Sequence, residues 1–206
     1  RDIARRHVDE AALHSCSIPL FITATSVHSG QARVFTGAEL SIDALLASAC
    51  LPFLFQSVIV DGEPYWDGGY TGNPAIYPLI YRSEVLDILL VKINPLRREG
   101  TPTRSVEIID RLSEITFNAS LVTEMRGIAF VSRLVREGRL DPGRYKDLRL
   151  HMIGDDEGLA RFNASSKLNT DAAFLDELFA LGRAAAEGWL QRHGADVGVR
   201  GTLDVE

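Results

Sequence analysis

Pro19-Leu20-Phe21-Ile22-Thr23-Ala24-Thr25 is a continuous apolar and β-branched run. Such a run suits a strand buried on both faces, as in a parallel sheet. His28-Ser29-Gly30-Gln31 turns the chain, and Ala32-Arg33-Val34-Phe35 returns as a second strand. Upstream, residues 3–14 read as a short helix. Downstream, Ser41 or Asp43 caps a helix that runs to about Cys50 and stops before Pro52. Ser57–Asp61 and Glu63–Trp66 flank Gly62 as a hairpin. A short helix to Tyr81, a buried strand over Val85–Ile93 and a long helical periodicity over 104–138 follow. Leu148–Ile153 reads as the last strand, and Asp171 caps a final helix to about Leu190. Strands alternating with helices predict an α/β fold, with a mainly parallel central sheet flanked by helices. Residues 1–192 read as one domain and 193–206 as a flexible tail.

The chain has 206 residues, enough for a substantial core. Hydrophobic content of 46% and charged content of 24% match an ordinary globular composition. A net charge of -6 argues against general nucleic-acid binding. No stretch reaches the roughly 18 apolar residues of a membrane span. Arg1-Asp2-Ile3-Ala4-Arg5-Arg6 lacks the apolar core region of a signal peptide. Two cysteines, Cys16 and Cys50, make no disulfide framework and fit a reducing, cytoplasmic setting. The five histidines are scattered without metal-ligand spacing, so no metal and no cofactor is expected.

Tyr65-Trp66-Asp67-Gly68-Gly69-Tyr70 sets one carboxylate directly before two glycines at the exit of the hairpin. Aspartate followed by glycine is first of all a turn signal. Glycine also permits close backbone approach, so Asp67 can be presented into a cleft as a catalytic base. An ordinary Asp, with a pKa of about 3.9, is a weak base towards a hydroxyl. Burial beside Tyr65, Trp66 and Tyr70 would strengthen it.

The order of these motifs resembles the patatin-like phospholipase family. The resemblance rests on Leu20–Thr25 with Gly30, on Ala47–Phe55, on Asp61–Gly69 and on Asn73-Pro74. It is strong over residues 8–95 and continues more weakly to about 192. It implies a patatin-like, α/β-hydrolase-related architecture and a serine lipid acyl hydrolase with a Ser-Asp dyad. Asp67 is then the dyad aspartate, and Gly68 and Gly69 form its loop. The family's Gly-x-Ser-x-Gly elbow does not occur here; Ser29 precedes Gly30, but position 27 is Val. The resemblance therefore implies a fold incomplete at the N-terminus. Its catalytic segment lies elsewhere in the same protein or on another chain, and the isolated chain is inert.

Other groups stand beside Asp67 as candidates. His28 offers a triad histidine but also suits a polar turn. Cys50 is a candidate nucleophile, against a buried small residue at a helix end. Ser48, Pro52, Phe53 and Trp66 are candidate cleft-lining residues, and Pro52-Phe53-Leu54-Phe55 suits core packing as well as an acyl groove. The long helix carries Arg111, Arg126, Arg133 and Arg136, which would meet an anionic lipid surface in a peripheral membrane contact; interspersed Glu and Asp favour a solvated face. The expected substrate is a lipid or acyl ester. The alternative is a non-catalytic interaction or regulatory module that keeps the fold.

Overall fold

Strand β1 (Phe21–Ser26) is the centre of a four-stranded sheet in the order β2-β1-β4-β3, with β2 at Ala32–Thr36, β3 at Val58–Val60 and β4 at Glu63–Asp67. The structure is a computed structural model and describes residues 1–162, 166 and 168–205. All pairings in this sheet are antiparallel. This corrects the parallel environment expected for β1. The reason is local: Val27–Gln31 is far shorter than the dozen or more residues a parallel crossover needs. The α/β class holds, and parallel pairing is confined, among the described residues, to β5 (Asp87–Val91) with β6 (Arg149–Ile153).

The chain divides into two units: Arg1–Ser83 with Ala119–Leu121, and the remainder from Glu84 onward. In the first unit, the helix expected over 3–14 is two short ones, α1 (Asp2–His7) and α2 (Glu10–Ser15). Val8 ends the first, and Asp9 caps the second, its carboxylate accepting the Ala11 N–H. Helix α3 (Ile42–Ser48) is capped by Ser41, whose Oγ accepts the Ala44 N–H at 3.1 Å. Ala44 and Ala47 are fully buried, and their small side chains let α3 lie close to the sheet. The core adds Ala24, Phe35, Leu40, Val60 and Tyr65, with Phe35 and Tyr65 edge to face at 5.4 Å. Asp61 and Gly62 both have positive φ (51° and 84°), as a two-residue turn matched to strand twist requires. Helix α4 (Tyr77–Arg82) closes this unit.

The second unit sets β5–β6 beside helices α5 (Ser105–Arg136), α6 (Asp156–Ala160) and α7 (Ala172–His193). Its best-tied group is Asp87, which takes Arg149 Nε and Nη2 at 3.0 and 2.6 Å, His151 Nε2 at 3.0 Å and the Gly198 N–H at 2.9 Å. His151 is buried, its ring edge-on to Trp189 and its Nδ1 2.9 Å from Thr202 Oγ1. The residues after α7, patternless in sequence, are thus tied to β6: Thr202 and Leu203 N–H both donate to the Leu150 carbonyl. Glu206 lies outside the described residues.

The hydrogen bonds from Arg149, then those from Gly198 and His151, hold the Asp87 carboxyl well below the usual carboxylate range. A lowered folded pKa stabilises above the unfolded value, about 3.9, and that stability is lost as pH falls through the folded one. Asp87→Asn is therefore expected to cost about 3 kcal/mol at neutral pH and to flatten the acid limb of stability below pH ~4. Urea melts from pH 7 to 3 read both; parallel pH profiles for parent and variant would refute it.

Candidate functional site

Asp67 is the last residue of β4 and the cap of a short 3₁₀ turn, Gly68–Tyr70. Its backbone is fixed from two sides. Its N–H donates to the Cys50 carbonyl at 2.9 Å, just past α3. Its carbonyl accepts the Thr25 hydroxyl, from β1, at 2.8 Å. Thr25 Oγ1 also lies 2.9 Å from Thr71 Oγ1, and Thr71 donates to the Gly68 carbonyl at 3.3 Å. Strand register puts Ala24 opposite Asp67.

The two glycines are there for different physical reasons. Gly68 is buried, and a Cβ on it would lie 2.1 Å from the Thr23 carbonyl oxygen of β1. Only a residue without a side chain lets β4 leave the sheet this close to β1. Gly69 supplies its N–H to Asp67 Oδ1 at 2.7 Å. This bond orients the carboxylate. Burial first, and the Asp67 charge second, push the Cys50 thiol and the Tyr70 phenol up. Both therefore flank Asp67 as neutral groups at neutral pH.

The other sequence candidates fall into place around this point. Cys50 is buried and donates its S–H to the Gln56 carbonyl at 3.1 Å, which with its raised pKa removes it as a nucleophile. His28 pairs with Glu63 at 2.8 Å on the surface. Glu63 starts β4 and Asp67 ends it, about 13 Å away at strand rise. His28 is thus paired at the end of β4 opposite to Asp67. Ser29 belongs to the turn, its Oγ accepting the Gln31 N–H. Ser48 donates to Leu45 C=O at 2.7 Å within α3. Trp66 pairs with Thr25 in register, and its indole N–H is buried with no hydrogen-bond partner. Pro52 and Phe53 sit on the loop that leaves Cys50. Phe53 is 91% exposed, with Leu54 and Phe55 at 49% and 57%, which corrects the core role weighed for them.

Sequence reasoning missed Thr25, Cys50 and Thr71 as the groups that hold Asp67. Thr25 closes the β1 run, where it reads only as a β-branched strand residue. Among the described residues, no group of three or more His, Cys, Asp or Glu can hold a metal ion, and no helix is long and apolar enough to cross a membrane.

Residues 1–80 match the family model described as patatin-like phospholipase. Over this segment the chain is similar to patatin-like phospholipases. The match contains Asp67-Gly68-Gly69 and ends close to the boundary of the first unit at Ser83. The patatin-like segment thus comprises the whole antiparallel sheet with α1 to α3. No curated protein matches the chain.

The second unit has a cavity of about 480 Å³, lined by apolar Ile93, Leu159, Phe174 and Leu178 and by Lys92, Arg98 and Glu114. Its charges are already paired. Arg98 holds Glu114 bidentately at 2.6–2.9 Å, and Lys92 pairs with Asp156. Among the described residues of this lining, the Ser113 hydroxyl donates within its own helix to the Ile109 carbonyl at 3.0 Å.

Proposed function

We propose that this chain contributes the aspartate half of a Ser-Asp lipid acyl hydrolase. The observation that carries the reading is Asp67 itself. It is a carboxylate with its backbone fixed by Cys50 and Thr25 and its Oδ1 oriented by Gly69, inside the patatin-like segment. The serine and its oxyanion donors come from outside residues 1–206, in the same protein or on a second chain. Residues 1–192 are then the C-terminal part of a patatin-like domain. The protein works in the cytoplasm on lipid acyl esters.

In the reaction, the serine Oγ attacks the ester carbonyl while Asp67 takes its proton. The tetrahedral intermediate expels the alcohol, which leaves with that proton, and an acyl-enzyme remains. Water then attacks the acyl carbon, Asp67 accepts its proton and returns it to the serine. The acid product and free enzyme result. Cys50 and Tyr70, both pushed towards their neutral forms, border Asp67 in this step. Oxyanion donors, worth about 3–4 kcal/mol each, supply much of the remaining barrier lowering.

Two reagents test this. A fluorophosphonate probe is expected to label one serine in the protein that carries the upstream segment, and none in residues 1–206 alone. The isolated chain is likewise expected to show no turnover of p-nitrophenyl butyrate above buffer. Labelling within 1–206, or none in the longer protein, defeats the reading; the second outcome favours a non-catalytic module that keeps the fold.

A further inference from the structure

The loop that leaves Cys50 presents three large apolar side chains to solvent in a row. Phe53 is 91% exposed, Leu54 49% and Phe55 57%. Scattered exposed apolar residues are ordinary, but a contiguous Phe-Leu-Phe tip is not. Two features distinguish it from a loose hydrophobic turn. First, its backbone is tied internally: Leu54 and Phe55 N–H both donate to the Leu51 carbonyl at 3.0 and 2.9 Å, the Cys50 thiol donates to the Gln56 carbonyl, and Pro52 has no N–H. Entering an apolar medium is costly mainly through unpaired backbone groups, and this loop has covered several of its own. Second, residues 44–60 hold no Asp, Glu, Lys, Arg or His, so no charge has to be dehydrated with the tip.

We infer that Phe53, Leu54 and Phe55 form an interfacial anchor that inserts into the surface of a zwitterionic lipid layer. This assigns the membrane contact to the loop rather than to the arginines of α5. The charge balance selects the lipid. The chain carries -6 overall, and Asp61 ends the uncharged stretch, while Asp43 at its other end is paired with Arg1, so an anionic surface would repel the chain through its net charge and Asp61. The position gives the insertion a purpose, which rests on the acyl-hydrolase reading. The loop starts at Cys50, whose carbonyl holds the Asp67 N–H at 2.9 Å, so an anchored tip sets the candidate base beside the lipid surface. The substrate class this implies is an aggregated, bilayer-packed ester rather than a dispersed one.

The test measures binding alone, so it stands apart from hydrolysis. The 206-residue chain is sedimented with sucrose-loaded vesicles of diether phosphatidylcholine, which no esterase cleaves. The double variant Phe53→Ser/Phe55→Ser is expected to lower the partition coefficient by about tenfold or more, on the apolar area withdrawn. Tyr81→Ser, at an 82% exposed apolar position on α4, is expected to leave it unchanged. Asp67→Asn is expected to bind as the parent does, which separates anchoring from chemistry. Thermal melts control for folding. Replacing half the lipid by diether phosphatidylglycerol is expected to weaken binding at low salt. The proposal is overturned if the parent does not sediment, if the double variant sediments equally, or if anionic vesicles bind better. It is also overturned if the tip instead drives a concentration-dependent dimer that the double variant disperses.

Discussion

Asp67→Asn is expected to lower kcat for p-nitrophenyl butyrate by about 10²–10⁴-fold in the protein that carries the upstream serine, the range a positioned general base contributes. The substitution isolates one property. An asparagine carbonyl oxygen accepts the Gly69 N–H as Oδ1 does now, at 2.7 Å, and the backbone bonds to Cys50 and Thr25 do not involve the side chain. Shape and anchoring are retained, and proton affinity is lost. The melting temperature should therefore stay within a few degrees while turnover collapses. The loss should fall on kcat rather than on KM, because the proton is taken in the transition state and not on binding. Turnover close to the parent's, with folding intact, would remove Asp67 from the chemistry. A parallel fall in melting temperature would mean that the carboxylate had been holding the fold.

Local signals were legible in the sequence, and long-range ones were not. The helix cap at Ser41 or Asp43, the hairpin around Gly62 and the Asp171 cap each depend on residues within a few positions; the hairpin and the Asp171 cap stand as read, and of the first pair Ser41 is the cap. The strand at Phe21–Ser26 is legible too, but its partners are not. Apolar continuity suggests burial in a parallel sheet, whereas the brevity of Val27–Gln31 makes the next strand return antiparallel. Asp67 could be picked out by the order of motifs around it. Its supports could not, because the Thr25 hydroxyl reaches Asp67 across 42 residues and Thr71 across 46, through single contacts that leave no periodic trace. The Pro52–Phe55 loop shows the limit of hydrophobicity as a guide to burial. Apolar character sends a side chain out of water, and a lipid surface satisfies that as well as a core does.

Gly68→Ala is expected to be the most damaging small change in the patatin-like segment, and the contrast with Gly62→Ala explains why. Both glycines follow an aspartate, and on sequence both read as turns. Gly62 has φ of 84°, with nothing within 4 Å of where its Cβ would go. Alanine there meets only backbone strain, about 1 kcal/mol. Gly68 lies outside the left-handed region, but its Cβ would sit 2.1 Å from the Thr23 carbonyl oxygen and 2.6 Å from its carbon. Those atoms belong to the centre strand of the sheet and cannot swing aside as a side chain can. Relief requires β4 to separate from β1 near Ala24↔Asp67, breaking the Thr25–Asp67 bond. The cost should reach about 3 kcal/mol or more, the upper end of overpacking penalties. Urea denaturation of the two variants against the parent reads the difference directly. Equal losses would mean that the Asp67-Gly68 step is a turn like Asp61-Gly62. A loss confined to Gly68→Ala, with esterase activity falling alongside it, would tie the position of the base to the one contact that a Cβ forbids.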